Sequence, residues 1–331
     1  MSDPVEILLV GCGRMGTGHL QAIRALPGLG EVVAGVDPSE AAREHVQREF
    51  GVERTYADLD EALAAEEAPA VFVCSPNNLH ATYALKALAA GRHVFVEKPL
   101  ALNMADVDRM IAEAGQRGLL LMAGQSLRFF THIRYIKTLI DAGEIGRVRH
   151  IVHRRMSPGR GGDEQSWFAR QALSGGILPG IGTHSLDAIL WWLGEQAESV
   201  YAMVQNIDPH PEVDIEDEVS LVATTPSGAL INVAFSFHHS LGYEWSVAGT
   251  EGTIQLSGTQ GVLKLNGEVS EVPERVELPG EDSIQHEFLS AIAEGRPLAQ
   301  ASARDIRATM ALVFAAQESG RTGQKVEVAH G

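Results

Sequence analysis

Cysteine is scarce in this sequence, and its scarcity excludes a disulfide-stabilised secreted domain. The 331 residues include two cysteines, Cys12 and Cys74, and both fall at predicted buried strand ends or turns. Small secreted domains instead carry a dense set of paired cysteines. The N-terminal stretch MSDPVEILLVGCGRMG is too polar and too rich in glycine for a signal peptide, and no apolar run approaches the length of a membrane span. The sequence therefore predicts a cytoplasmic protein that does not contact a membrane.

Positive charge is also in short supply. Lysine and arginine number 26 against 43 aspartates and glutamates, which gives a formal net charge of −17 and a pI near 5.2. A surface of that sign repels nucleic acids, so no nucleic-acid partner is expected. We also predict no metal, because no group of histidines, cysteines and acids has the spacing of a metal site. The length suggests two globular domains.

A glycine-rich turn follows the first apolar segment. Residues 5–10, VEILLV, predict a strand that continues into Gly11, Gly13 and Gly16 at the spacing GxGxxG, before a helical pattern. In a dinucleotide-binding fold the first glycine allows a tight turn, the second lets the backbone approach a pyrophosphate, and the third lets the helix pack on the strand. Asp37 ends the second predicted strand. It has the position of an acid that binds the adenosine ribose, or alternatively of an acid at a helix N-terminus.

Strands and helices alternate through the first third of the chain, which predicts a doubly wound α/β domain. Ligands of such sheets lie beyond the carboxyl ends of the strands, where Asp37 and Lys98 are expected. The Asp37 carboxylate would repel a 2′-phosphate, so NAD is predicted in preference to NADP. A partly desolvated Lys98 ammonium can exchange a proton near neutral pH; a lysine exposed in a turn is the alternative interpretation.

Four motifs, in this order, resemble the Gfo/Idh/MocA family of oxidoreductases, relatives of glucose–fructose oxidoreductase and inositol dehydrogenase: GxGxxG followed by a histidine, SPNNLH, VEKPL and GTHSLD. The resemblance implies an α/β N-terminal Rossmann domain, residues 1–124. It implies an α+β C-terminal domain, residues 125–331, with a large open, mostly antiparallel sheet for substrate binding and oligomerisation, whose C-terminal helix packs back on the first domain. The implied activity is NAD(P)-dependent hydride transfer at a secondary alcohol or ketone of a sugar, cyclitol or related hydroxy compound, in a homo-oligomer (dimer or tetramer).

The same resemblance makes Lys98 and His184 the predicted catalytic residues, which handle protons. The predicted cofactor-binding residues are Gly11, Gly13, Arg14, Met15, Gly16, Asp37, Ser75, Pro76, Asn77, His80, Glu97, Lys98 and Gln125. The predicted substrate-binding residues are Lys98, Arg155, Trp167, Arg170, Thr183, His184 and His238. The two arginines of this set suit a carboxylate or phosphate, and the tryptophan either contacts a sugar face or anchors its loop.

The segment GGILPGIGTHSLD departs from the family pattern at Gly180. An aspartate commonly precedes the family's histidine by four residues, which places both on one helix face. Here Gly180 follows Pro179, and both residues alter the first helical turn. The missing carboxylate leaves room for a bulkier or anionic substrate. Asp187 either orients the His184 ring or pairs within its domain, and His184 is alternatively a core histidine.

Two other functions stay open on these grounds. One is a redox-neutral elimination or hydrolysis that uses tightly held NAD transiently, and the other is a non-catalytic regulator that binds NAD and a sugar. The missing acid at Gly180 motivates both. The presence of Lys98 and His184 favours catalysis. The acidic run 214–218 is predicted to be solvated.

Overall fold

The computed structural model describes residues 3–156, 166–238, 242–258 and 262–330. Two compact units divide the chain. The first comprises Met1–Ser126 and Pro279–Arg307, and the second comprises Leu127–Leu278 and Ala308–Gly331. The first unit is therefore discontinuous, since residues 279–307 return to it after the chain has formed most of the second.

A parallel sheet forms the centre of the first unit. Its strands are β1 Val5–Val10, β2 Gly30–Val36, β3 Arg54–Tyr56, β4 Ala70–Val73, β5 His93–Val96 and β6 Leu121–Ala123. The helices of this part are α1 Arg14–Arg24, α2 Glu40–Phe50, α3 Leu59–Ala65, α4 His80–Ala89 and α5 Met104–Arg117. The strand order is β3-β2-β1-β4-β5-β6 and every adjacent pair is parallel. This is the order of dinucleotide-binding domains, so the predicted Rossmann domain is confirmed.

Local sequence explains these elements. The β4 sequence AVFV is fully buried, as expected for a strand covered on both faces by helices. Helix α2 begins after Ser39, whose hydroxyl accepts a hydrogen bond from the Ala42 N–H, and it ends at Gly51 with φ of +58°. A serine cap and a left-handed glycine satisfy the backbone groups that a helix leaves open at its ends.

A late segment of the chain completes this core. Helix α9, Ile284–Glu294, places the Phe288 ring 5.5 Å from Phe72 and 6.0 Å from Phe95, edge to face in both cases. The Gln285 amide donates a hydrogen bond of 2.9 Å to Nδ1 of His19. The first unit thus depends on residues that follow the second unit in sequence.

The second unit is built on a nine-stranded sheet. Its strands are β7 Val148–Met156, β8 Ser199–Gln205, β9 Glu218–Thr224, β10 Leu230–Ser236, β11 Gly242–Gly249, β12 Thr253–Ser257, β13 Val262–Leu265, β14 Glu268–Ser270 and β15 Val326–Glu327. Their order is β14-β13-β12-β11-β7-β10-β9-β8-β15, with β7 and β10 parallel and the other neighbours antiparallel. The predicted large, mostly antiparallel sheet is confirmed.

The helices of the second unit are α6 Thr131–Asp141, α7 Gln171–Ser174, α8 Thr183–Leu193 and the later part of α10 Ala303–Thr322. Helix α8 packs against β7, and the Ser319 hydroxyl on α10 accepts a hydrogen bond of 2.9 Å from the Ala202 N–H on β8. The buried Trp192 indole on α8 donates to the Ile133 carbonyl on α6 at 3.0 Å, which fixes these two helices against each other.

Among the helices of the described residues, none has both the length and the apolar character that crossing a membrane requires.

Candidate active site

The glycine turn after β1 has the geometry that a bound dinucleotide requires. Gly11 has φ of +93°, and a Cβ on Gly16 would lie 1.9 Å from the Gly11 carbonyl oxygen, so only glycine lets α1 pack this closely. Gly13 differs, because no described atom lies within 4 Å of a Cβ built there. No side chain caps the first turn of α1. The N–H groups of this turn therefore suit the pyrophosphate of NAD.

The Asp37 carboxylate links this turn to α2. Its Oδ2 accepts from the Cys12 N–H at 2.9 Å, and its Oδ1 accepts from the Ser39 N–H at 2.8 Å. Each oxygen retains a second lone pair, so Asp37 can serve at a helix N-terminus and bind ribose hydroxyls as well. Burial, followed by the Asp37 charge, raises the pKa of Cys12 to about 12. This thiol stays protonated and is not a nucleophile.

Arg43 also lies at this edge, and the sequence analysis missed it. Its Nη1 donates to the Asp37 carbonyl oxygen at 2.7 Å. The arginine is not adjacent to Asp37 in sequence, but the first turn of α2 brings it back. The signal available in the sequence was the helical pattern that begins just after Asp37, because the first turn of such a helix returns the side chain at position 43 toward the strand end.

His80 is fully buried and holds two turns together. Its Nδ1 lies 2.6 Å from the Pro99 carbonyl oxygen and its Nε2 lies 2.9 Å from the Ser75 carbonyl oxygen. Burial lowers the pKa of His80, while the two carbonyls raise it, and burial prevails. A neutral imidazole has one N–H, so His80 donates to one of these carbonyls and packs against the other, beside the predicted cofactor position.

Lys98 follows β5 and is half-buried. Its backbone N–H donates to Glu97 Oε2 at 3.1 Å, and Glu97 Oε1 lies 2.8 Å from Nε2 of His19. The Gln285 amide nitrogen donates to the other nitrogen of His19, so Nε2 carries the proton that Glu97 accepts. The peptide bond between Lys98 and Pro99 is cis.

In the second unit, an aromatic ring occupies the position of the missing acid. A Cβ on Gly180 would lie 2.5 Å from Cζ of Phe168 and 2.6 Å from Cε2. The Phe168 ring also lies 6.3 Å from Phe237 and 5.8 Å from Trp167, centroid to centroid. The absent carboxylate has thus been replaced by apolar packing, which sequence patterns did not predict.

The helix that carries His184 begins abnormally and is then held firmly. Leu178–Gly182 form a π-helical turn before α8, in agreement with the disturbed first turn predicted from Pro179 and Gly180. Next to His184, the Ser185 hydroxyl lies 2.8 Å from Nε2 of His153 on β7.

Two buried side chains determine this attachment. Nδ1 of His153 faces the Glu244 carbonyl at 2.8 Å, and burial lowers the pKa of His153 to about 3. The ring is therefore neutral with the proton on Nδ1, and Nε2 accepts from Ser185. Asp187 is fully buried and pairs with Arg128 through contacts of 2.8 and 2.7 Å, with Thr309 adding a bond of 3.1 Å. Of the alternatives for Asp187, pairing within the domain is confirmed.

The acidic run 214–218 is solvated only in part: Asp214 is exposed and Glu216 and Glu218 are half-buried, but Asp217 is buried, contrary to expectation. Asp217 is 1% exposed, and its carboxylate accepts from the Ile207 N–H at 2.7 Å and the Asp208 N–H at 2.9 Å. Its Oδ2 also lies 2.7 Å from Nε2 of His238. The expectation failed at Asp217 because this carboxylate binds loop backbone and His238.

The remaining predicted residues fall in two groups, one in each unit. At or after the carboxyl ends of the parallel strands lie Arg14, Met15, Ser75, Pro76, Asn77 and Gln125. In the second unit lie Arg155, Trp167, Arg170, Thr183 and His238. The roles of these residues stay predictions.

Three members of the second group already have protein contacts. The Arg170 guanidinium donates to the Glu212 carbonyl oxygen. Thr183 is fully buried, with its hydroxyl 3.9 Å from the Met310 sulfur. Trp167 is 38% exposed while its edge packs on Phe168, so it can anchor its segment and still present a ring face. The described residues contain no group of three or more potential metal ligands.

Comparisons with known proteins match both parts of the chain. The family described as oxidoreductases with an NAD-binding Rossmann fold, Gfo/Idh/MocA, matches residues 5–125, and the Gfo/Idh/MocA C-terminal domain matches residues 133–263. The chain is 31% identical over 261 residues to myo-inositol 2-dehydrogenase of Thermotoga maritima, covering 76% of this chain and 74% of that protein.

Two further similarities span more of the chain. It is 28% identical over 300 residues to 4-carboxy-2-hydroxymuconate-6-semialdehyde dehydrogenase of a Sphingobium species, covering 88% of this chain and 91% of that protein. Aldose-aldose oxidoreductase of Caulobacter crescentus, solved with glycerol, is 25% identical with a TM-score of 0.87, covering 98% of this chain and 99% of that one.

Proposed function

Because the chain belongs to the Gfo/Idh/MocA family of NAD-binding oxidoreductases, we propose that it transfers a hydride between nicotinamide and a secondary alcohol or ketone of a sugar, cyclitol or related hydroxy compound. The observation that carries the proposal is the carboxyl edge of the parallel sheet. There the open N-terminus of α1 follows β1, the Asp37 carboxylate follows β2, and Lys98, whose backbone N–H is held by Glu97, follows β5. Relatives that act on inositol and aldoses support the substrate class.

The proposed roles of the residues follow from their chemistry. When bound, NAD supplies the hydride acceptor or donor. The first turn of α1 binds the pyrophosphate, and Asp37 binds the ribose hydroxyls. As the hydride leaves the carbinol carbon, the hydroxyl proton passes to Lys98 or His184, and it returns in the reverse direction. Glu97 acts through Lys98 by fixing its backbone.

Asp37 supports NAD over NADP, since its carboxylate repels a 2′-phosphate. Arg43 is the residue that can weaken this preference, because its guanidinium lies beside the same strand end. Turnover with NAD and with NADP therefore has to be compared directly.

The test follows NADH absorbance while the protein is mixed with NAD, or with NADP, and a panel of cyclitols, aldoses, sugar acids and aminosugars. Lys98→Met is expected to lower kcat by about 10²–10⁴-fold, because it removes a positioned proton carrier, and to leave NADH binding largely unchanged. The matched control is Lys86→Met, since Lys86 pairs with Asp60 on the protein surface. Equal loss in both variants would contradict the role of Lys98.

Two outcomes would replace the proposal. Turnover with copurified NAD and no net NADH would favour redox-neutral elimination or hydrolysis. NAD binding without turnover of any panel member would favour a regulator.

Self-association, as a dimer or tetramer, is part of the same proposal. Val152, Asn232, Val222 and Tyr201 lie in one row across β7, β10, β9 and β8, and the two valines and the tyrosine are each more than 40% exposed. Exposed apolar side chains that share one sheet face are typical of an interface. Sedimentation velocity of Val222→Lys against the unmodified protein tests it, and an unchanged sedimentation coefficient would contradict this interface.

A further inference from the structure

Arg155, near the end of β7, carries a charge that no carboxylate among the described residues balances. Its neighbour Arg154 pairs with Glu244 at 2.6 Å, and Arg128 is held by the buried Asp187. Among the residues that the structure describes, the titratable side chains that interact electrostatically with Arg155 are Tyr243 and His153, and neither is a carboxylate. The two consecutive arginines thus differ, since Arg154 is paired at the surface whereas no acid in the described ranges pairs with Arg155.

The surroundings of Arg155 make this charge costly. In the sheet it lies opposite Tyr243 on β11 and Phe235 on β10. Burial lowers the pKa of Arg155, and burial also raises the pKa of Tyr243 to about 12. The tyrosine is therefore an uncharged phenol, while a guanidinium stays protonated even when its pKa falls. A partly desolvated cation of this kind is stabilised by an anion.

The position of Arg155 connects it to the helix start that carries His184. The ring of Phe235, its neighbour on β10, lies 3.1 Å from where a Gly182 Cβ would stand. His153 precedes Arg155 by two residues on the same face of β7, and it bonds Ser185, the residue after His184. Position 180 carries no carboxylate, and the Phe168 ring occupies the space beside it.

Resting on the proposed function, we propose that the substrate is a hydroxy acid whose carboxylate binds to the forked guanidinium of Arg155. The substrate itself then supplies the anion that no described residue provides at this position. A planar guanidinium matches a carboxylate with two parallel hydrogen bonds, so the contact orients the substrate as well as binding it. The Phe168 ring over Gly180 gives this substrate an apolar surface where a carboxylate would favour a hydroxyl group.

The experiment uses the full-length protein with NAD and matched pairs of acid and neutral substrates. The pairs are glucuronate with glucose, galacturonate with galactose, and quinate with inositol. We expect kcat/KM to favour the acid of at least one pair by about tenfold or more, since charge-assisted hydrogen bonds are roughly twice as strong as neutral ones. Arg155→Met should abolish that preference mainly through KM, and Arg155→Lys should retain part of it.

Arg154→Met is the matched control, because it removes a charge from the adjacent position and should keep the preference. Thermal melting of each variant confirms folding. If the protein turns over neither member of any pair, saturation-transfer NMR of the same compounds with the NADH-bound protein measures whether the acids bind. An acid that binds the unmodified protein and not Arg155→Met supports the inference. Acids that bind neither, or both equally, overturn it.

The outcomes separate this inference from the proposed function. Turnover of neutral compounds without preference for acids would overturn the carboxylate site and leave hydride transfer standing. Acid binding that depends on Arg155, without hydride transfer to any substrate, would support the carboxylate site and overturn the proposed hydride transfer.

Discussion

The two regions that carry the predicted site are built in different ways. Beside the parallel sheet, Asp37 and His80 contact backbone groups, Glu97 binds His19, and the glycines fit by the absence of a side chain. At the start of α8, a glycine stands where an acid was expected and a phenyl ring fills the space. Near the end of β7, no carboxylate from the described part of the chain pairs with Arg155. A cofactor is the same molecule in every reaction and dictates its contacts, whereas a substrate pocket is shaped by packing that differs from one substrate to another.

The largest expected effect is at the buried ion pair under α8. Arg128→Met leaves Asp187, which is fully buried, without its cation. We expect the free energy of unfolding to fall by about 3–5 kcal/mol, measured by denaturant unfolding. Replacing both residues by leucine should recover much of this loss. The surface variant Arg154→Met should cost about 1 kcal/mol or less, and equal costs for the two arginines would contradict the assignment.

The glycine turn provides the corresponding test in the first unit. Gly16→Ala places a methyl group against the Gly11 carbonyl, and we expect a loss of about 3 kcal/mol in stability, at the upper end for overpacking. Gly13→Ala meets no described atom within 4 Å, so it should melt like the unmodified protein and bind NAD more weakly. Calorimetric melting and NADH fluorescence titration separate these effects. If neither variant binds NAD more weakly than the unmodified protein, this turn is not part of the cofactor site.

A smaller effect is expected where the acid is missing. Gly180→Asp brings a side chain into the Phe168 ring and should cost about 1–3 kcal/mol. Phe168→Ala removes the ring that the new side chain would contact. The double variant should therefore lose about 0.5–3 kcal/mol less stability than the sum of the losses of the two single variants. A double-mutant cycle by urea unfolding measures this coupling. Strict additivity would show that the ring is not what excludes the acid.

The smallest effect concerns pH. Burial opposes the ionisation of Asp217, but hydrogen bonds from His238, Asp208 and Ile207 outweigh it, so the pKa of Asp217 lies below its usual 3.8. An acid with a lowered folded-state pKa contributes stability above its unfolded pKa, and this contribution is lost as pH falls through the folded value. The difference in melting temperature between the unmodified protein and Asp217→Asn should therefore narrow from about pH 6 to pH 3. A constant difference would contradict the assignment.

Sequence reasoning succeeded where the pattern is local. The alternation of strands and helices, the turn at Gly11–Gly16 and the disturbed helix start at Gly180 follow from neighbouring residues, and the structure has all of them. Contacts between separate elements could not be predicted in this way. Examples are the ion pair of Arg128 with Asp187, which lie 59 residues apart in sequence, and the packing of Phe168 against Gly180. The prediction that Asp217 is solvated failed for the same reason. The sequence of an acidic run does not indicate which loop backbone groups its carboxylates will bind.

The return of residues 279–307 to the first unit has a consequence for protein synthesis. Until the ribosome has made α9, the Phe72 and Phe95 rings lack their Phe288 cover and His19 lacks its Gln285 partner. The nucleotide-binding unit therefore cannot complete its core when its own strands leave the ribosome, and it must wait while most of the second unit is translated. Nascent chains released shortly before α9 should expose apolar surface and depend on chaperones, whereas chains that include α9 should not.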